Sequence, residues 1–388
     1  MRTSHIHPNL RHLRTHAMLR EAGFVIPVLL AFLQLRGVSF AEFMAIQSMF
    51  MVVMLLANPL VSPLADKYGR KPMVIFGSVL WTLGHVVMWL GYGWQAFAFA
   101  EILLGIGIAA YRPAAEALLY DSLASVGKEN RHYRTLTKQT SLQSYAGAVA
   151  MFTGGWLFVL HPSAPILASI FANIGMVLVA VKLLEAPFAK PIAHPTYAQM
   201  WKQTWVSLSN TRTRWVVIIP GLISGNTITL FWSVQPTWTA AGVSAAVMGT
   251  LMTIHFTARG WFASQCPKLV ERFGARMCFA LCIALVFMGF VSMALLPWWV
   301  SFVPFMLGSG LGYMLADTIG NDLLHHNVPS AIRSTAAGGF RLFDRIVGIL
   351  SMGTASALQP VIGLEATLMV IAVASAILAT VALTRLKT

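Results

Sequence analysis

Residues 62–71 read SPLADKYGRK, which sets Asp66, Lys67, Arg70 and Lys71 close together in a chain with only 10% charged residues. To either side the sequence turns apolar. The chain is 57% hydrophobic with a mean hydropathy of +0.70, well above the apolar share of a soluble globular domain. Apolar stretches of about 18 to 25 residues recur along nearly the whole length, each long enough to cross a hydrocarbon core of roughly 30 Å as a helix. The charged decapeptide is therefore expected to be a loop between two membrane spans.

Twelve spans are predicted, at about 18–36, 42–65, 72–92, 95–120, 137–160, 164–184, 215–239, 244–265, 277–297, 300–323, 333–358 and 364–384. The first 17 residues are basic and His-rich and lead into a full-length span rather than a cleavable signal. The formal net charge of +14 could suggest nucleic acid, but the basic residues fall in alternate loops instead of one groove. Arg2, Arg11 and Arg14, then Lys67, Arg70 and Lys71, then Lys128, Arg131 and Arg134, and so on to Arg385 and Lys387, line one face; Arg36 stands alone in the first loop opposite. The positive-inside rule places that face, both termini and the central loop in the cytoplasm of a multi-pass inner-membrane protein. Cys266, Cys278 and Cys282 form no CxxC pair and no disulfide framework, and read as small apolar fillers.

The one long hydrophilic connection, about 185–214, opens with Pro187, Pro191 and Pro195 and continues as TYAQMWKQTWVSLSNTRTR. It reads as a linker followed by a short surface helix. The expected organisation is a tail (1–17), a six-helix bundle (18–184), the linker (185–214), a second six-helix bundle (215–384) and a tail (385–388). A shift of 205 residues sets LVERFGAR (269–276) under LADKYGRK (64–71), so that Lys67 meets Arg272, Tyr68 meets Phe273 and Gly69 meets Gly274. Six spans plus six with a repeated charged loop is the layout of a transporter built from two parallel repeats around a midplane site.

These residues carry a family resemblance. SPLADKYGRK resembles the major facilitator superfamily signature G-x-L-A-D-[RK]-x-G-R-[KR], matching at Leu64, Ala65, Asp66, Lys67, Gly69, Arg70 and Lys71 and departing at Ser62. The resemblance implies an all-α polytopic membrane protein with the major facilitator fold over essentially the whole chain. Asp66, Lys67, Gly69, Arg70 and Lys71 are expected to form a conformational latch between helix bundles, with Gly69 turning the backbone and the charges engaging acids or helix ends. In similar proteins an acid at the place of Asp121 contacts this loop. The alternative is a solvated positive-inside loop.

Seven of the 13 acids fall within spans: Glu21, Glu101, Glu116, Asp121, Asp317, Asp322 and Asp344. Charges at the bilayer centre cost about 2.5–3.5 kcal/mol each on insertion scales, so these should face a polar cavity or one another. Glu101, Glu116, Asp317, Asp344 and Glu21 are the proton-coupling candidates. Related transporters often carry Arg at the place of Glu101, so its role does not follow from the resemblance. Arg112 and Glu116, four apart, can pair. Ser39 to Glu42 reads as a capping box.

The candidates for a substrate cavity are Arg112, Asn226, Trp232, Gln235, His255, Arg259 and Arg341. GLISGNTITLFWSVQPTW lines up hydrogen-bonding groups beside aromatics, as a pocket for an amphipathic organic solute would. TIHFTARG places His255 and Arg259 one turn apart, and imidazole titrates near neutral pH in general. FRLFDRIVG sets Asp344 to pair with Arg341 on its own helix, and Asp317 to meet either cation from the tenth span. Each of these sets reads equally as structural pairing between helices.

No Walker motif, nucleophile elbow, HExxH or metal-ligand cluster occurs. The chain is not expected to be an enzyme, to hold a metal or to use a cofactor; a proton gradient supplies the energy. The expected partners are a small organic solute, protons and the lipid bilayer, with no nucleic acid, and the protein is expected to act as a monomer. Drug:proton antiporters of the resembled branch carry G-P-x-x-G-G in the fifth span; AMFTGG (150–155) keeps Gly154 and Gly155 but not the Gly-Pro pair. EALLYDSL (116–123) resembles exporter-like members. The leading expectation is proton-coupled export of an amphipathic organic solute by rocker-switch alternating access. The alternatives are proton-linked uptake and a membrane receptor that kept the fold.

Overall fold

The computed structural model describes residues 8–128, 131–185, 211–327 and 330–386; the side chains of residues 62, 63, 66, 133, 137, 211–213, 321 and 324–340 lie outside that description. The expected surface helix in the linker falls largely on 186–210, outside the described residues. Every regular element among the described residues is helical. In chain order they are α1 (Asn9–Glu21), a 3-10 turn (Ile26–Val28), α2 (Leu29–Gln34), α3 (Phe40–Tyr68), α4 (Arg70–Leu90), α5 (Gly93–Ala124), α6 (His132–Leu160), α7 (Ala164–Val181), α8 (Thr211–Ala240), α9 (Ala245–Leu295), α10 (Trp298–Met306), a π turn (Leu307–Gly312), α11 (Tyr313–Asn327), α12 (Ser330–Ile362) and α13 (Leu364–Arg385).

Ten described stretches are long and apolar enough to cross a membrane. One of them, α9, has 51 residues, about 77 Å at the helical rise and more than twice the hydrocarbon thickness. It changes direction at Gly274, where φ 76° and ψ 160° leave the helical region. α6, over the fifth expected span, is 29 residues long with a polar first half.

The chain divides into two compact units. One holds Met1–Gly37, Val52–His194 and Ala245–Thr253; the other holds Val38–Met51, Pro195–Ser244 and Ile254–Thr388. These differ from the halves read in the sequence at the start of α3 and the start of α9, each of which is counted with the opposite half.

In the first unit, the helix starts at Asn9, inside the segment expected as a tail. The reason is an apolar stripe at helical spacing: Leu10, Leu13 and Ala17 are buried, with His16 beside them. This first span, Asn9–Gln34, is interrupted in its middle, where Gly23 and Pro27 remove helical support between α1 and α2. The freed backbone is satisfied by neighbours: the Val25 amide donates to the Ser169 hydroxyl on α7 at 3.3 Å. α6 presses against the break so closely that a Cβ on Gly154 would sit 1.9 Å from the Phe24 carbonyl oxygen. α4 and α5 pack backbone to backbone, a Cβ on Gly77 falling 2.5 Å from the Gly107 carbonyl oxygen.

The second unit repeats the device between α8 and α12. Gly221 and Gly225, four apart on one face of α8, meet Phe343, Asp344 and Val347, and a Cβ on Gly225 would lie 2.6 Å from the Asp344 carbonyl oxygen. At the start of α3 the Ser39 hydroxyl accepts from the Glu42 amide at 3.2 Å, while the Glu42 carboxylate accepts from the Ser39 amide at 2.7 Å. The capping box is therefore formed.

The two repeated charged loops adopt the same backbone conformation. Gly69 has φ 101° and ψ 154°, and Gly274 has φ 76° and ψ 160°, a region essentially restricted to glycine. Just before each, a cation lies over the next ring: Lys67 Nζ is 5.0 Å from the Tyr68 centroid and the Arg272 guanidinium 5.2 Å from that of Phe273.

Candidate functional site

The charged loop is built on a single-residue turn. α3 ends at Tyr68 and α4 begins at Arg70, so Gly69 alone reverses the chain. The first amides of α4 have no partner within the helix, and the Glu185 carboxylate takes them: it accepts from the Arg70 and Lys71 amides at 2.9 Å each. An anion at this position also meets the positive end of the helix dipole. The Arg70 guanidinium reaches Asp121 at the end of α5, with Nη1 2.5 Å from Oδ2. Arg70 and Asp121 are thus brought together as the loop reading requires, while the Asp66 side chain lies outside the described residues. Lys71 contributes its amide. Asn9 ties the same corner from α1: its side-chain amide donates to the Ser122 hydroxyl at 2.8 Å and the Leu184 carbonyl at 2.7 Å, and its oxygen accepts from the Leu184 amide at 2.8 Å.

Halfway along the first span, where the helix breaks, Arg20 Nη2 is 2.5 Å from the Glu21 carboxylate. Tyr111 and Glu116 on α5 lie near enough to act on the Arg20 charge. Arg112 Nε and Glu116 Oε1 lie 3.5 Å apart, both more than half exposed. The first unit thus holds two ion pairs, Arg20–Glu21 and Arg112–Glu116, with Tyr111 near the first. Two buried histidines of this unit are hydrogen-bonded within it. The Ser78 hydroxyl donates to the Val74 carbonyl at 2.7 Å, so the His16 ring donates through Nε2 to that hydroxyl at 2.8 Å. The His16 ring also stands edge-on to Tyr111. His85 donates through Nδ1 to its own helix, at the Trp81 carbonyl 2.9 Å away. Glu101 is buried on α5.

Arg36, the lone cation of its face, caps α4 from outside. Its guanidinium donates to the carbonyls of Met88, Trp89 and Gly91 and lies 4.3 Å and 5.1 Å from the Phe32 and Tyr92 ring centroids. Its charge serves the negative end of a helix.

In the second unit, Arg341 takes the partner expected for it from the tenth span. Its Nη2 lies 2.7 Å from Asp317 Oδ1 on α11, while Asp344 is buried with its backbone against Gly225 of α8. The close α8–α12 crossing sets the Asp344 backbone against α8. Arg259 stacks on Tyr313 at 4.6 Å. His255 is buried among Phe231, Phe256 and Phe305, with ring centroids 5.2–6.0 Å away. Asn226 donates to the Leu222 carbonyl at 2.8 Å and accepts from the Ser351 hydroxyl at 3.0 Å, so its amide is used in joining α8 to α12. Trp232 packs edge-on against Phe43. Ser233 donates back to the Thr229 carbonyl at 2.8 Å, and Gln235 is buried. The polar row of α8 is largely spent on its own helix and on α12.

The sequence reading passed over Arg20, Tyr111, Asn9 and Glu185. Arg20 and Asn9 would have followed from the stripe Leu10, Leu13, Ala17, which carries helix into the supposed tail. Glu185 had a weaker signal, since an acid after the last turn of one helix does not reveal that it reaches the start of another.

A profile of the Major Facilitator Superfamily matches residues 18–239. Multidrug resistance protein 2 of Bacillus subtilis (strain 168) is 28% identical over 142 residues, 37% of this chain and 32% of that protein, so the match spans about a third of the relative's length. Among solved structures, a mutant form of the nucleoside transporter NupG superposes with a TM-score of 0.81 at 15% identity, over 98% of this chain and 100% of that one. A bacterial homolog of the human lysosomal transporter Spinster, inward-facing and unoccupied, gives 0.75 at 12% identity, over 100% and 98%. These likenesses show the fold, and with the profile match over more than half of the chain they establish that this multi-pass membrane protein belongs to the Major Facilitator Superfamily.

Proposed function

We propose that the protein exports an amphipathic organic solute in exchange for protons, by alternating access within the transporter fold. The observation that carries this is the Arg20–Glu21 pair at the break of the first span, with Tyr111 and Glu116 of α5 near enough to act on its arginine. A carboxylate halfway through a membrane span is costly unless paired or hydrated, and one kept there marks a candidate functional site. Glu21 is balanced by Arg20 and sits where unwound backbone interrupts the helix, the kind of place transporters use for substrate and coupling ions. A proton and a cationic or hydrogen-bonding solute then compete for one carboxylate. Occupation by one excludes the other, which is the requirement for exchange. Asp317 and Arg341 offer a second charged pair in the other unit. The name of the Bacillus relative supports export of a drug-like compound.

The test is proteoliposomes holding the purified protein under an imposed pH gradient, with tetraphenylphosphonium, a drug-like amine and a nucleoside as solutes. Proton flux opposite to solute flux is expected. Glu21→Gln should abolish gradient-driven accumulation while solute exchange across the membrane persists. Unchanged proton coupling in Glu21→Gln would overturn the assignment of that residue, and solute flux in the same direction as protons would overturn export. If no solute moves but one binds, the receptor reading takes its place.

A further inference from the structure

In the second unit a groove of about 520 Å³ runs between α8, α12 and α13. It extends along α8 from Trp215 to Asn226, eleven residues or about 16 Å, close to half of a hydrocarbon core. Its outer lip is apolar and open: Leu350 is 65% exposed and Leu378 57%. Four of the polar groups along it are already engaged. The Ser351 hydroxyl donates to Asn226, Asn226 to Leu222, Thr354 to the Leu350 carbonyl and Ser375 to the Ile371 carbonyl. Such a wall offers little to a polar solute and suits hydrocarbon.

Charge fixes the other end of the occupant. α8 and α13 run antiparallel along the groove, since Trp215 at the start of α8 lines it together with Ala382 near the end of α13. Arg214 directly precedes Trp215, and Arg385 lies one turn beyond Ala382. Both belong to the basic face read from the sequence, so two arginine positions and Trp215 lie at the end of the groove where a headgroup would sit.

We infer that the groove is a lipid site: it seats one acyl chain of an anionic phospholipid from the leaflet on the basic side, with the phosphate between Arg214 and Arg385. The site is separate from the charged cluster at the break of the first span and does not depend on which solute is carried.

Native mass spectrometry of the detergent-purified protein with dioleoyl phosphatidylglycerol or dioleoyl phosphatidylcholine tests it. The wild type should retain the anionic lipid preferentially. Arg214→Gln with Arg385→Gln should reduce that retention roughly tenfold, to the level of the zwitterionic lipid. Leu350→Trp, a change at an exposed position that fills the groove, should reduce retention of both. Its melting temperature in lipid-free detergent, unchanged from wild type, separates blocked binding from misfolding; if it has dropped, Leu378→Trp on the opposite lip replaces it. Full retention of both lipids in the filled variants would overturn the site. Loss of both lipids without any effect of the arginine changes would overturn the headgroup assignment. Filled variants that keep their lipid but lose solute flux would give the groove to the solute instead.

Discussion

The Glu185 carboxylate accepts the Arg70 amide at 2.9 Å, so the residue that follows α7 closes the first turn of α4. With its other oxygen on Lys71, one carboxylate serves two of the four amides that a helix start leaves open. The charged loop is therefore fastened from outside its own hairpin, by Glu185 after α7 and by Asp121 on α5.

Removing the cap should loosen α4 modestly. Glu185→Ala is expected to cost about 1 kcal/mol, the usual value of an N-cap. It should lower the melting temperature in detergent by about 2–4 °C. Glu185→Gln, which can still accept through its amide oxygen, should lose less. Equal melting of both variants and the wild type would show that the amides find other acceptors.

The Arg70–Asp121 pair should matter more. Asp121 is buried and Arg70 nearly so, and deleting one partner of a buried pair strands the other at a cost of about 3–5 kcal/mol. Asp121→Ala should reduce transport turnover strongly and leave the solute dissociation constant nearly unchanged. The exchanged pair, Arg70→Asp with Asp121→Arg, should recover part of the loss. A large change in affinity alone would move this corner into the binding site.

Gly154 should be intolerant of any side chain. Its position for a Cβ is 1.9 Å from the Phe24 carbonyl oxygen, a rigid backbone atom at the break of the first span. Gly155 beside it faces α9 instead, where a Cβ would lie 2.4 Å from the Ala245 carbonyl oxygen. Gly154→Ala should shift α6 off the break and lower the yield of folded protein, measured as the monodisperse fraction on size exclusion. Gly353→Ala, at a glycine with open space around it, should leave that fraction unchanged.

How much of this was legible follows from the same residues. The repeated loop was readable because a one-residue turn between two helices needs a backbone conformation that glycine adopts, and flanking charges mark it as lying outside the apolar spans. Gly69 and Gly274 accordingly share a conformation. The Ser39–Glu42 capping box was legible for the same reason, since it closes within four residues. The partners of the intramembrane charges were not. Arg341 could meet Asp344 on its own helix or Asp317 on another, and nothing within α12 reveals that Asp317 of α11 comes within 2.7 Å of it. The pairing of Arg20 was hidden because the first span was started nine residues late, which set Arg20 at its edge instead of its middle.

The Asp317–Arg341 pair gives the sharpest separation of stability from function. Both side chains are partly exposed, 27% and 45%, so solvent screens the pair and its net contribution to folding should be no more than about 1 kcal/mol. Its contribution to transport is a different matter, because a lone charge left within the span costs about 2.5–3.5 kcal/mol whenever the surroundings exclude water. Asp317→Asn should therefore melt close to wild type yet slow solute flux at least tenfold. Asp317→Asn with Arg341→Gln removes both charges and should restore flux if the pair is structural. If instead the double variant stays inactive while each protein remains folded, the two charges act on the solute or the proton, and the second unit contributes to the site directly.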